Sequence, residues 1–260
     1  MMPSDRAIAS PSPSGAGLWR GLSVWLGAWG GAPPPTLPLK ERGVLRFFAV
    51  LAALAALPGV ALARQGLTPL GNPGELVAAE SALAHRAHDK GANAALVAMA
   101  LDSAELIDPV RTPARTWLKT HDAAAWFVDR QVANVWASCD GTFGVSTGLW
   151  QGGWFALVWQ RQKKLDFKWL LADAAPLAAK PPAPDWITGK VADCPARDAP
   201  MPGPPPAPAG ADSRDGRSVD GSLVWRSTVM PDGSRALRVW IWQAGAMQVV
   251  LDRATAAGPR

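Results

Sequence analysis

The stretch Val132–Asp173 constrains the fold more than any other part of the chain. It reads VANVWASCDGTFGVSTGLWQGGWFALVWQRQKKLDFKWLLAD, with apolar and polar side chains alternating in four short runs broken by DG, QGG and QKKLD. Period-two alternation interrupted by turn residues is the pattern of consecutive antiparallel strands. Phe143, Val145 and Leu149 share one face of the second run. In the third, Trp154, Ala156 and Val158 oppose Phe155, Leu157 and Trp159; Phe167, Trp169 and Leu171 share a face of the fourth. A strand apolar on both faces needs cover on both: helices on one side, and a ligand or the C-terminal segment on the other. Gly144, Gly148, Gly152 and Gly153 are the positions where this sheet can bend.

The residues before the sheet read as helices. Asn72-Pro73-Gly74 starts one that runs from Glu75 to Lys90, with Leu76, Ala79, Leu83 and Ala87 on one face and Gly91 ending it. A second covers Ala92 to about Leu101. Ala104–Ile107 is a short strand closed by Asp108-Pro109. Thr112-Pro113 reads as an N-cap and first helical residue, opening a helix to about Lys119 that turns Trp117 and Leu118 inward.

Val44–Ala63 (VLRFFAVLAALAALPGVALA) has the order of a secretory signal: a basic residue, an apolar run, a helix break and an A-x-A site. The mature chain is then expected to start at Arg64, in the periplasm or outside the cell, with no stable membrane anchor after cleavage. Residues 1–43 are Pro/Gly/Ser-rich and lack helical or strand period; they are either an untranslated upstream stretch, with initiation at Val44, or a disordered extension. Residues 1–63 hold five Lys/Arg against two acidic residues, so +3 of the +5 net charge sits in this leader. The remainder has no basic patch of the kind that binds nucleic acid. Cys139 and Cys194 are the two cysteines; in an exported chain a disulfide is the simplest reading.

The expected organisation is an extension at 1–43, a signal at 44–63, an α+β domain at 64–195, a Pro-rich linker at 196–216 and a C-terminal segment at 217–260. Leu223–Val229, Leu237–Trp242 and Met247–Leu251, joined by Pro231-Asp232-Gly233 and Gln243-Ala244-Gly245, read as a three-stranded β-meander. It is too short for a core of its own and is expected to dock on the main domain. Trp240 and Trp242 would share one face, and Leu237, Val239 and Ile241 the other.

This order resembles the nuclear-transport-factor-2-like superfamily, a cone-shaped α+β fold with N-terminal helices packed on a curved antiparallel sheet, and within it exported bacterial domains of unknown function. The resemblance is carried by ELVAAESALAHRAHDKG, Trp117–Lys119, SCDGTFGVSTG at 138–148, VWQRQ at 158–162 and KWLLAD at 168–173, and covers about residues 72–195. It implies a cup between helices and sheet, but no single chemistry, since the superfamily hosts isomerases, cyclases, epoxide hydrolases and non-enzymes. Where such relatives carry Asp-His-Gly-Asp after the last strand, this chain has Ala172-Asp173-Ala174-Ala175, which weakens an acid–base role there.

A steroid-isomerase-like site would need an Asp base and a buried Tyr or protonated acid. The chain has no Tyr, leaving Glu105, Asp108 and Asp173 as the carboxylates for both roles. An epoxide-hydrolase-like set would draw on Asp108, Arg111 and Asp173. His85 and His88 fall away from the apolar stripe of the first helix and read as solvated, whereas His121, four residues after Trp117, can share its face at the cup mouth. Trp117, Trp126, Trp136, Trp150, Trp154, Trp159 and Trp169 serve either as core or as a lining on which a ligand stacks. The ligand-binding candidates are Trp117, His121, Trp136 and Trp154 with Glu105 and Asp108. No catalytic residue, metal or cofactor is assigned. The expected function is non-catalytic binding of a small apolar or amphipathic molecule or a partner protein. The alternatives are an isomerase, cyclase or hydrolase acting on a small hydrophobic substrate in the cup, and a structural module that forms a homodimer through its sheet.

Overall fold

Residues 70–123, 127, 129–164, 166–179, 182–196 and 200–257 are described by the computed structural model. The expectations for 1–43, for the signal at 44–63 with its cleavage after Ala63, and for Trp126 lie outside these residues.

Helix α1, Pro73–Lys90, begins where Asn72 Oδ1 accepts the Gly74 N–H at 2.9 Å, which satisfies one orphan donor of the first turn. It ends at Gly91, whose φ of 88° suits glycine. Helix α2, Ala92–Met99, stops short of Leu101 because the chain is already extended at Ala100. Strand β1, Ala100–Asp108, begins there, well ahead of the expected Ala104. The helix expected from Pro113 starts one residue later, at Ala114, with Pro113 rather than Thr112 as its N-cap residue; Thr112 and Pro113 are extended. They belong to β2, Val110–Pro113, which folds back on β1 with Glu105 opposite Pro113 and Asp108 opposite Val110. Helix α3, Ala114–Thr120, follows without a side-chain cap.

The four expected strands are β3 Gln131–Ala137, β4 Phe143–Trp150, β5 Gly153–Arg161 and β6 Phe167–Pro176. They pair antiparallel in sequence order. The sheet is nonetheless mixed and seven-stranded, because β1 joins β6 in parallel and β7, Thr188–Val191, joins β3 in parallel, giving β2-β1-β6-β5-β4-β3-β7.

Its two faces carry two separate cores. Phe155, Leu157, Trp159 and Trp169 pack under Leu76, Leu83 and Leu96 of the helices. Gly144 is part of this fit, since a methyl group there would collide with the Leu76 side chain. Val145, Ala156, Val158 and Leu171 on the opposite face pack against a second sheet; Leu171 does not share the face of Phe167 and Trp169 as expected, because a β-bulge shifts the β5–β6 register between Val158 and Trp159. Strand β5 is therefore buried on both sides from Gly153 to Trp159, and each large apolar side chain so covered contributes about 1.5–3 kcal/mol.

The second sheet has four strands in the order β11-β10-β9-β8: β8 Asp212–Arg217, β9 Leu223–Val229, β10 Arg235–Gln243 and β11 Ala246–Thr255. Strand β8 corrects the expected three-stranded meander and the linker boundary at 216. Its sequence, DSRDGR, has no apolar alternation, and the β9 ladder holds it in place. Leu237, Val239 and Ile241 are fully buried against the first sheet, and Trp240 and Trp242 turn to the other face. The cover expected over the apolar third strand is thus the C-terminal segment. Both sheets lie in one unit, Leu62–Arg260.

The two sheets share a plan. The same turn joins β3 to β4 in the first sheet and β8 to β9 in the second, as Ser138-Cys139-Asp140-Gly141-Thr142 and Ser218-Val219-Asp220-Gly221-Ser222. Asp140 Oδ1 accepts from Ser138 Oγ, Thr142 N and Thr142 Oγ1 at 2.6, 2.9 and 2.8 Å. Asp220 Oδ1 accepts from Ser218 Oγ, Ser222 N and Ser222 Oγ at 2.6, 3.0 and 2.8 Å. Gly141 and Gly221 have φ of 68° and 73°. The turns also meet: Cys139 N donates to Ser222 Oγ at 2.8 Å and Val219 N to Thr142 Oγ1 at 3.2 Å. A Cys139–Cys194 disulfide, with Cα atoms 5.1 Å apart, fastens the tail of the first sheet beside this junction.

Candidate functional site

The helix side of the first sheet, where a cup was expected, is occupied by side chains. Trp159, Trp169, Phe155, Leu157, Leu83 and Leu96 are completely buried there. Among them runs a polar chain. Trp159 Nε1 donates to Ser146 Oγ at 2.8 Å, Ser146 Oγ donates to Glu80 Oε1, and Arg130 Nη2 donates to Glu80 Oε2 at 2.5 Å. Arg130 and Glu80 are each only 3% exposed, and the guanidinium lies over the Phe127 and Phe155 rings at 4.1 and 5.0 Å. Burial lowers the Arg130 pKa, and the Glu80 carboxylate opposes that shift. Sequence reasoning missed Glu80, although its place four residues after Leu76 and three before Leu83 puts it on the buried stripe.

The rim of this region holds a hollow of about 170 Å³ lined by Ile107, Asp108, Trp117, Trp150 and Pro176. Two of the six sequence candidates, Trp117 and Asp108, meet here. His121 joins them indirectly, stacked on the Trp117 ring with centroids 4.7 Å apart, its Nδ1 beside Trp117 O and Thr120 Oγ1 at 3.1 and 2.9 Å. The other three lie elsewhere. Trp136 and Trp154 are on the opposite face, buried against the second sheet. The alternation that separates Trp154 from Phe155 does not say which set meets the helices. Glu105 is engaged by Arg111 at 3.3 Å and Arg214 at 3.7 Å.

The Asp108–Arg111–Asp173 set is not assembled either. Arg111 reaches across to the second sheet, donating to Asp212 Oδ2 at 3.0 Å and to the Ser227 carbonyl and hydroxyl at 3.2 Å. Asp173 faces the second sheet too, where Arg235 Nε donates to its Oδ1 at 2.8 Å. Burial raises the Asp173 pKa, and the Arg235 and Arg111 guanidinium groups pull it back only in part. These pairs fasten one sheet to the other. His85 and His88 are exposed on α1.

The larger hollow, about 550 Å³, is on the outer face of the second sheet, where no candidate residue had been placed. Trp240, Met230, Arg226, Arg235 and Arg238 line it, and Pro205, Pro206 and Pro208 form one wall. Among the described residues its lining contains no carboxylate, imidazole or thiol. Trp240 is only 8% exposed. The signal available in the sequence was the pair Trp240 and Trp242 on the solvent side of a strand beside a proline-rich run.

No family model and no curated protein matches the chain. Among solved structures, a crystal structure described as a "putative ketosteroid isomerase" from Shewanella frigidimarina NCIMB 400 is similar at 13% identity, over 37% of this chain and 94% of that one, with a TM-score of 0.29. A likeness of that size carries no argument about activity.

Proposed function

We propose that residues 64–195 are a nuclear-transport-factor-2-like domain, exported through the signal at 44–63, and that the protein is a non-catalytic binder working through the outer face of its second sheet. The observation that carries this reading is the 550 Å³ hollow of Trp240, Met230 and three prolines, with no carboxylate, imidazole or thiol among the described residues of its wall. Its size is within the range of ligand sites, and apolar walls with a few donors suit an amphipathic guest. The buried ionisable side chains described elsewhere are engaged in structural pairs, Glu80 with Arg130 and Asp173 with Arg235. The disulfide is compatible with an oxidising compartment outside the cytoplasm. No helix among the described residues is long and apolar enough to cross a membrane.

The test is titration of the disulfide-bonded protein with 1-anilinonaphthalene-8-sulfonate, an apolar fluorophore with one sulfonate. The expected result is a single saturable site lost in Trp240→Ala and kept in Trp117→Ala. Loss in Trp117→Ala alone would move the site to the rim hollow; no saturable binding would overturn the reading.

A further inference from the structure

The proline-rich run Met201–Pro208 (MPGPPPAP) lies over the outer face of the second sheet. Pro202, Pro204 and Pro205 enclose a hollow of about 200 Å³ with Val224, Trp240 and Met247, and Pro205, Pro206 and Pro208 wall the larger one. Trp240 borders both, so the run lies beside it with open space continuing to one side. Proline has no N–H, and a proline-rich chain in the extended left-handed helix offers carbonyl oxygens without internal partners. Here arginines bind them: Arg226 Nη1 donates to the Pro205 carbonyl, and Arg217 Nη2 to the Pro202 carbonyl at 3.3 Å.

The strand register shows that this seat is half of a symmetrical surface. Asp215, Arg226, Arg238 and Asp252 stand side by side across β8, β9, β10 and β11. Arg226 is gripped by Asp215 at 2.5 and 2.7 Å, and Arg238 by Asp252 at 2.5 Å. Two arginines directly opposite one another repel unless acceptors lie over them. Arg226 has the Pro205 carbonyl in addition to its acid; both arginines line the larger hollow, with the Arg238 guanidinium 5.9 Å from the Trp240 ring centroid. On either side of this row come Trp240 and a low floor of Thr228, Ala236 and Ala254, the flat relief and aromatic step that a proline-rich helix packs against.

We propose that the half of this face centred on Arg238 is a docking groove for a proline-rich segment of a partner protein, which lies beside Met201–Pro208 and presents its carbonyls to Arg238. This rests on the outer face being the binding surface, and the chemistry of the guest is taken from the segment already seated there. Four residues of such a helix span about 12 Å.

The test uses the full disulfide-bonded protein and a fluorescein-labelled peptide PMPGPPPAPA, with an analogue in which every proline is serine, read by fluorescence anisotropy. Saturable binding of the proline peptide is expected, with the serine analogue at least about tenfold weaker. Arg238→Ala should weaken the proline peptide by a similar factor. Ala254→Trp, a substitution at an exposed edge position that fills the floor of the hollow, should block it. Equal binding of both peptides, or binding unchanged in both variants, overturns the proposal. If the anilinonaphthalene probe binds and the peptide does not, the proline-rich guest is wrong while the binding face stands; if neither binds, both fall.

Discussion

Asp140 and Asp220 hold each other's backbone. Asp220 N donates to Asp140 Oδ2 at 2.8 Å, and Asp140 N donates to Asp220 Oδ2 at 3.0 Å. Each carboxylate spends one oxygen on its own turn and the other on its counterpart, so the two sheets are joined by an arrangement that reads the same from either side. The reciprocity is that of a two-fold interface between identical surfaces, here within one chain.

The junction should be acid-labile. Burial pushes the Asp140 carboxyl up, but hydrogen bonds from Ser138, the Thr142 and Asp220 amides and the Thr142 hydroxyl together outweigh it and leave the pKa below the ordinary value. A depressed folded pKa contributes stability that is present above the unfolded value of about 3.9 and is lost as pH falls through the folded one. Asp140→Ala should cost about 2–3 kcal/mol at pH 7, and the deficit should shrink in urea titrations taken toward pH 3. A deficit independent of pH would contradict this account.

Asp173 should behave in the opposite sense. Its folded pKa is raised, so its contribution is complete below the unfolded value and declines as pH rises through the folded one. Asp173→Asn should therefore lose least relative to the parent at high pH. Arg235→Met, which strands a buried carboxylate, should cost about 3–5 kcal/mol. Thermal melts of the two variants across pH 4–9 check the order, which fails if Asp173→Asn is the more damaging.

Breaking the Glu80–Arg130 pair from one side should be worse than removing it. Glu80→Leu leaves a buried guanidinium and should cost about 3–5 kcal/mol, whereas Glu80→Leu with Arg130→Met should recover much of that loss. A double-mutant cycle with no coupling would mean that the pair does not act as a unit.

Reducing the disulfide should lower the unfolding midpoint. The cysteines are 55 residues apart, a closure worth about 4 kcal/mol on the chain-entropy account. Urea unfolding of Cys139→Ala/Cys194→Ala measures it directly. An unchanged midpoint would place the stabilisation in the paired turns.

Period two made β3 to β6 and β9 to β11 legible, and local chemistry identified the Asn72 cap and the cysteine pair. The parallel pairing of Ala100 with Trp169 left no local trace, because neither partner's neighbourhood encodes the other. Strand β8 was hidden because a polar edge has no buried face to write an alternation. Ser138-x-Asp140-Gly141-Thr142 and Ser218-x-Asp220-Gly221-Ser222 were both in plain view, and comparing them would have revealed that the second sheet restates the plan of the first. The Arg238 groove was beyond reach, since cross-strand rows exist only once register is set.

Strand β5 is covered on one side by elements that precede it and on the other by strands that follow it. A ribosome therefore delivers Val145, Val158 and Leu171 long before Leu223, Val239 and Ile241 arrive. During that interval the nascent molecule presents a broad sticky surface, of the kind that drives aggregation and calls on chaperones. Truncation anywhere between Cys194 and Leu223 should freeze the protein in that state, and yield should collapse before any binding property could be assayed.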